Sequence, residues 1–358
     1  MRYLHIYHTP SRGGISTLIK SILKLNGNEV NSVHDLLLIS DLDDVKIASE
    51  LENTYVINFK KKGYLRIFKE THLIFKKYDG LLLHIIHPKL IPSLVLFRGK
   101  NLLFQHGMSF DNKNFLKRNA NKLVYIILPI LLNAKVVCST EFAKKKMARR
   151  GIILPNSLIK IIPFGVELPS KRLDQSEYSN NDTIRIGMAG YFAPQKRFNL
   201  VLESFKDYKG EKKFIINIAG YGPEEDNLKR VAFEIKKNRA KVNFLGWIEN
   251  MDSFYSRIDA FILPSAGESF GLVIAEALVR GIPVIALADM GGSIFLINHL
   301  CNGFIVKDRN GLVELWRDLA QNPEILNKQR ENILKMDFSL LDIKLTRKKL
   351  EGLFLPSF

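Results

Sequence analysis

DAFILPSAGESFGLVIAEALVRGIPVIAL, residues 259 to 287, contains three apolar runs separated by turn-forming residues. The first run ends at Pro264, Ser265, Ala266 and Gly267; the second, from Phe270 to Val279, stops at Arg280 and Gly281; the third follows Pro283. Short outer runs and a longer inner one read as strand, helix, strand, the unit of a parallel sheet. Two glutamates interrupt this apolar background. Glu268 falls in the first loop and Glu276 inside the helix, where a carboxylate among Val273, Ile274, Ala275, Ala277 and Leu278 is costly to bury without a partner. Solvation of a helix face is the plain alternative for such glutamates. Eight residues along an ideal helix advance about 800°, leaving the two side chains roughly 80° and about 12 Å apart. That spacing suits two ends of one elongated ligand.

The same grammar runs outward in both directions. Upstream, IRIGMAG, FIINIAG and VNFLG are further buried-strand candidates that end at turns, and helices follow most of them. The polar stretch ELPSKRLDQSEYSNND, residues 167–182, reads as a linker. Before it, YLHIY, DLLLIS, YVINF, LLLHII, NLLFQ and KVVCS repeat the pattern. The expected fold class is α/β, with two Rossmann-like domains facing a central cleft: residues 1–166, residues 167–336, and a helical tail over 337–358 that crosses back to the first domain. In open parallel sheets ligands bind beyond the carboxyl ends of the strands. AGYFAPQK, AGYGPEED, FLGWIEN and PSAGESFG all fall there.

A chain of 358 residues, 46% hydrophobic, can build a core in each of two domains. Cys138 and Cys301 are too few for a disulfide framework or a metal cluster, which points to a reducing compartment. The start, MRYLHIYHTPSRGG, lacks a stretch of signal-peptide length, and LVYIILPILL from Leu123 is too short to span a bilayer. The expected location is cytoplasmic. Residues 1–170 hold 26 Lys+Arg against 12 Asp+Glu, whereas the remainder hold 27 against 24. In FKKKGYLRIFKETHLIFKK, NKNFLKRNANK and FAKKKMARR the basic residues alternate with apolar ones at amphipathic-helix spacing. An anionic surface is the expected partner of this half. Helix-turn-helix, zinc-finger and single-strand-binding signatures are lacking, so membrane is preferred over nucleic acid, with the protein peripheral at the inner face.

GMAGYFAPQKRFNLVLESF, IAGYGPEEDNL, VNFLGW and the 259–287 segment, with IIPFGVELP ahead of them, resemble retaining glycosyltransferase family 4, which has the GT-B fold. In the first domain the resemblance is looser, carried by RGGIS, IIHP, QHGMS and CSTEFAKKKM. It implies a metal-independent enzyme that moves a sugar from a nucleotide-sugar donor, here expected to be a UDP-sugar, to a lipid-linked glycan acceptor in bacterial surface polysaccharide synthesis. It needs no cofactor.

By this resemblance Glu268 meets the donor's sugar hydroxyls and Glu276 holds the ribose. Ser269, Phe270 and Gly271 start the helix, so their amides can meet the diphosphate at the positive end of the dipole. Gly190, Gly220 and Gly222, in the loops after two strands, join the donor site. Lys196 matches the lysine that neutralises the leaving diphosphate. Tyr191 stands where many members carry arginine, and Arg197 is expected to supply part of that charge. Phe295 occupies a place often held by glutamate. Gly13 and Gly14 allow close backbone approach after the first strand. His106, at a strand end, is expected to touch the transferred sugar or the acceptor; His8 and His87 are weaker candidates. An Asp-x-Asp pair is lacking in the cleft loops, and DLDD at 41–44 reads as a polar loop. The expected chemistry is front-face attack, with positioning and leaving-group stabilisation supplied by the protein and no side-chain base. Two other readings are a nucleotide-sugar 2-epimerase of GT-B fold and a basic nucleic-acid-binding protein.

Overall fold

A computed structural model describes residues 1–8, 13–26, 32–40, 54–106, 115–169, 183–235 and 240–355. They form two compact units, Met1–Gly165 with Ile343–Phe358, and Val166–Asp342. DLDD, Arg12 of RGGIS and most of the 167–182 linker lie outside the described residues, as do most of QHGMS and NKNFLKRNANK or their side chains.

Among the described residues, the first unit has a seven-stranded parallel sheet in the order β3-β2-β1-β4-β5-β6-β7. Its strands are β1 (Arg2–His8), β2 (Val33–Ser40), β3 (Thr54–Asn58), β4 (Gly80–Leu83), β5 (Lys100–Gln105), β6 (Lys135–Cys138) and β7 (Ile159–Ile161). Successive side chains point to opposite faces, so each strand serves two cores. Leu4, Ile6, Leu37, Ile39, Leu81 and Leu83 fill one face. Tyr7, Leu36 and Leu38 fill the other, beneath Ile19 and Leu23 of the helix Gly14–Leu23. The helix Ile343–Gly352 packs beside that helix. Its Arg347 is buried and donates to the carbonyls of Ile22 (3.2 Å) and Ser32 (2.7 Å), to Ser32 Oγ (3.0 Å) and to Glu351 (2.8 Å). A buried guanidinium is tolerated because its donors are used.

Among the described residues, the second unit has a six-stranded parallel sheet, β10-β9-β8-β11-β12-β13. The strands are β8 (Thr183–Tyr191), β9 (Lys213–Tyr221), β10 (Ala240–Gly246), β11 (Ala260–Leu263), β12 (Val284–Leu287) and β13 (Gly303–Val306). Trp316, Phe205 and Phe214 pack with Ile184, Ile186 and Met188 on one face. Phe261, Leu263, Ile274 and Leu278 build the other. Strand order reverses between β8 and β11, because the chain first builds outward through β9 and β10 and then returns to the opposite side of β8. A reversal of that kind opens a crevice at the carboxyl ends of the two strands.

The ten strand segments of the sequence reading other than LLLHII need no revision beyond their ends. LLLHII stops being a strand at Leu83, one residue before His84. IKI, residues 159–161, and GFIV, residues 303–306, are edge strands too short to show a strand period of their own.

Candidate active site

Lys196 and Glu268 meet at the reversal point of the second sheet. Lys196 ends a single 3-10 turn, Pro194–Lys196, just after β8, and Glu268 follows β11. Their side chains form an ion pair, Nζ on Oε1, with both groups partly buried. Backbone bonds fix the approach. Ala266 N–H donates to the Gln195 carbonyl (3.1 Å), Gly267 N–H to Asp289 (3.0 Å), and Gly292 N–H to the Glu268 carbonyl (2.7 Å). Glu268 N–H donates to Met290, and Glu268 with Gly291 makes an isolated parallel bridge. The glutamate loop is thus stitched to the segments on both sides. A lysine ammonium has three donors, so Lys196 can keep Glu268 and still meet an anion.

Arg197, next in the chain, is tied to the glutamate loop and to the segment after β12. Its guanidinium makes a bidentate pair with Asp289 (2.9 and 2.6 Å) and donates from Nε to the Pro264 carbonyl (2.8 Å). Its backbone is left-handed, φ 50°, at the N-cap of the helix Phe198–Asp207. The residue braces the glutamate loop. Beside it, the Asp289 carboxyl is held below its ordinary value, chiefly by the Arg197 hydrogen bonds.

The helix expected to start at Ser269 starts at Leu272, with Gly271 as its N-cap at φ 71°. Ser269 and Phe270 therefore lie in the loop, and the first helical amides belong to Leu272 and Val273. Ile274 N–H already bonds the Gly271 carbonyl (2.9 Å). Glu276, four residues into this helix, is half-buried, and Tyr255 donates its hydroxyl to Oε2 at 3.2 Å. Burial raises the Glu276 carboxyl above its ordinary value, and Arg280 and Tyr255 offset this only in part. Oε1 has no hydrogen-bond partner among the described residues. A partly desolvated carboxylate with an open acceptor gains most from hydroxyl donors.

Gly220 and Gly222 have a reason within the fold. A Cβ on Gly220 would stand 1.9 Å from the Gly190 carbonyl oxygen, and one on Gly222 would stand 2.6 Å from Phe192 backbone atoms. These residues let the ends of β8 and β9 close together. Gly190 lies at that same junction, paired with Gly220. Phe295 is exposed, with its ring 6.2 Å from that of Phe270.

On the first unit, Gly13 caps the helix that Gly14 begins, and Ser16 Oγ donates to the Gly13 carbonyl at 2.7 Å. His106 follows β5 and is half-buried; its Nε2 lies 2.8 Å from His84 Nδ1. Burial pushes its pKa down to about 3, so the ring is neutral. His87 accepts from Lys89 N–H (3.2 Å) as a turn cap, and its ring is parallel to that of His8 at 6.4 Å. Among the described residues, no three His, Cys, Asp or Glu side chains gather in a metal-holding group. No helix among them is long and apolar enough to cross a membrane. The sequence reading missed Asp289, Tyr255, and the partners of His106, because each is brought in by sheet adjacency and not by local spacing.

Residues 170–336 match the family described as glycosyl transferases group 1. The match spans most of the second unit, Val166–Asp342. The whole chain is 28% identical over 351 residues to the Escherichia coli O-antigen biosynthesis glycosyltransferase WclY, covering 95% of this chain and 94% of that one. It is 25% identical over 260 residues, 66% and 64% of the two chains, to the Escherichia coli UDP-Gal:alpha-D-GlcNAc-diphosphoundecaprenol alpha-1,3-galactosyltransferase. Among solved structures, Anabaena HepE in complex with UDP and glucose superposes with a TM-score of 0.79 at 17% identity, covering 99% of each chain. The fold is GT-B, two Rossmann-like α/β units each built on a parallel sheet. Lys196, Glu268 and Glu276 all fall inside the matched domain.

Proposed function

We propose that the protein moves a sugar, with retention of configuration, from a UDP-sugar to a lipid-linked glycan in the synthesis of a bacterial surface polysaccharide. The observation that carries this reading is the Lys196–Glu268 pair at the strand-order reversal of a glycosyl transferase domain. There Glu268 can accept from sugar hydroxyls while Lys196 opposes the negative charge that grows on the departing diphosphate. Interactions that strengthen as charge develops lower the barrier, whereas uniform binding does not. Glu276 offers its open oxygen to the ribose, and the first amides of its helix, at Leu272 and Val273, add a positive end. Lys196 makes a metal unnecessary for charge neutralisation. The departing phosphate takes the acceptor's proton, so no side chain is required as base.

The named relatives support the donor and acceptor classes: HepE is seen with UDP and glucose, and one relative acts on a diphosphoundecaprenol-linked sugar. The first unit supports a peripheral location at the membrane's inner face. Leu123, Ile127 and Ile130 of the helix Phe115–Leu131 are exposed at a spacing that puts them on one helical face. Lys60, Lys61 and Lys145 are exposed on the same unit, whereas Lys62 is paired with Glu70 at 2.6 Å. An apolar stripe with basic neighbours suits an anionic interface.

The test is a panel of UDP-, GDP- and other nucleotide sugars incubated with extracted lipid-linked acceptors. The reading expects a new glycolipid and free UDP only when both substrates are present. Conversion of a donor to its epimer without acceptor would replace this reading with epimerisation.

A further inference from the structure

Five side chains of the first unit form one hydrogen-bonded row across its sheet, and the sequence reading singled out only the last of them. Glu351 Oε1 lies 3.0 Å from His34 Nε2. His34 Nδ1 lies 2.8 Å from His5 Nε2, and His5 Nδ1 lies 2.9 Å from His84 Nε2. His84 Nδ1 lies 2.8 Å from His106 Nε2. The rings belong to neighbouring strands or their ends. His5 on β1 stands opposite Leu36 of β2 and Leu82 of β4, so His34 sits two residues behind it and His84 two residues ahead. Leu82 stands opposite Leu102, which advances His106 by two residues again. The row therefore runs obliquely from the beginning of β2 to the carboxyl end of β5, on the face that the helix Ile343–Gly352 covers.

Every link joins Nδ1 of one ring to Nε2 of the next, and this fixes the protons. A neutral imidazole has one N–H and one lone pair, and an ionised carboxylate only accepts. Glu351 stays ionised: burial raises its carboxyl, but hydrogen bonds from His34, Ser32 and Arg347 outweigh that and bring it down to about 2. His34 must then carry its proton on Nε2 and accept on Nδ1. The same choice passes to His5, to His84 and to His106. Burial keeps the rings neutral, most strongly at His5 and His84. At the far end His106 is left with its proton on Nε2 and a lone pair on Nδ1, which has no partner among the described residues.

We propose that Glu351 sets the tautomer of His106 through His34, His5 and His84, so that His106 presents Nδ1 as a hydrogen-bond acceptor to a ligand hydroxyl at the carboxyl end of β5. Glu351 is a positioning residue, and a lone imidazole at the same place would be free to take either tautomer. That the hydroxyl belongs to a donor sugar or to a glycan acceptor rests on the transfer reading above; the tautomer does not.

The experiment is nitrogen-15 spectroscopy of the imidazoles in the full-length protein at neutral pH, with the ring signals assigned by single replacements. The wild type should show His34, His5, His84 and His106 as Nε2–H tautomers only. Glu351→Leu removes the terminal acceptor, and His5→Leu cuts the row while keeping the Glu351–Arg347 pair. In each folded variant His106 should lose its single tautomer and show both. An Nδ1–H signal from wild-type His106 would overturn the proposal, and so would an unchanged Nε2–H signal in either folded variant. The wild-type spectrum decides by itself if both variants fail to fold. No sugar donor is present, so a failed transfer assay leaves the tautomer result standing, and a wrong tautomer leaves the transfer reading standing.

Discussion

Lys196 and Glu268 are 72 positions apart in the chain, and nothing in the spacing of either reveals the other. Their ion pair exists because β11 returns to lie beside β8, which makes the loops after the two strands neighbours. What could be read locally was the type of each site: a glutamate among turn residues, another inside an apolar helix, a lysine just past a strand. The helix starts three residues later than the sequence suggests, because Ser269 is a favoured cap residue whereas the actual cap is Gly271 in a left-handed conformation. Arg197 shows the limit more sharply. The cation beside Lys196 is paired with Asp289, 92 residues away, a partner that no local spacing announces. The two glutamates separate experimentally. Glu268→Ala should abolish turnover yet leave UDP affinity within about threefold, whereas Glu276→Ala should weaken UDP by about tenfold or more, the worth of a charge-assisted hydrogen bond. Calorimetry with UDP measures both, and equal losses would mean that the roles are wrongly divided.

Elements were legible where they are buried on both faces, because continuous apolar runs then stand out from polar loops. β7 and β13 escaped notice because they are edge strands of only three and four residues, shorter than the edge strands β3 and β10 that were read. The helix Ile343–Gly352 lies in the tail that the sequence reading expects to cross back to the first domain, and it carries the buried Arg347 that ties it to Ile22 and Ser32. Arg347→Ala should therefore cost the first unit about 3–5 kcal/mol, since two carbonyls and Glu351 lose their donor in a dry setting. Denaturant titration would show it, and a loss near zero would mean water replaces the guanidinium freely. The Glu351 carboxyl adds a pH dependence of definite sign. Its pKa is lowered in the fold to about 2, so its contribution is complete above the ordinary carboxyl value of 4.5 and fades as the pH falls from there toward 2. The stability lost over that window should be on the order of 2 kcal/mol more in wild type than in Glu351→Gln.

At the scale of the whole molecule, charge was the most informative feature of the composition: +14 of the net +17 lies in residues 1–170. Location of that charge on one unit, with Leu123, Ile127 and Ile130 exposed along a helix, gives a membrane surface something to hold. Vesicles containing anionic lipid should retain the protein at low salt and release it as salt rises, each lysine near the surface contributing about 1 kcal/mol. Ile127→Asp with Ile130→Asp should weaken retention while leaving UDP affinity unchanged, because the matched domain lies elsewhere in the chain. Indifference of the wild type to anionic vesicles would argue for a soluble acceptor. The central claim, that Lys196 opposes charge on a departing diphosphate, is met most directly by comparing acceptor-dependent UDP release in wild type and Lys196→Ala at saturating donor. Turnover should fall by about a hundredfold or more with the donor Michaelis constant changed only severalfold, since the lost interaction belongs to the transition state. A raised Michaelis constant with unchanged turnover would contradict it.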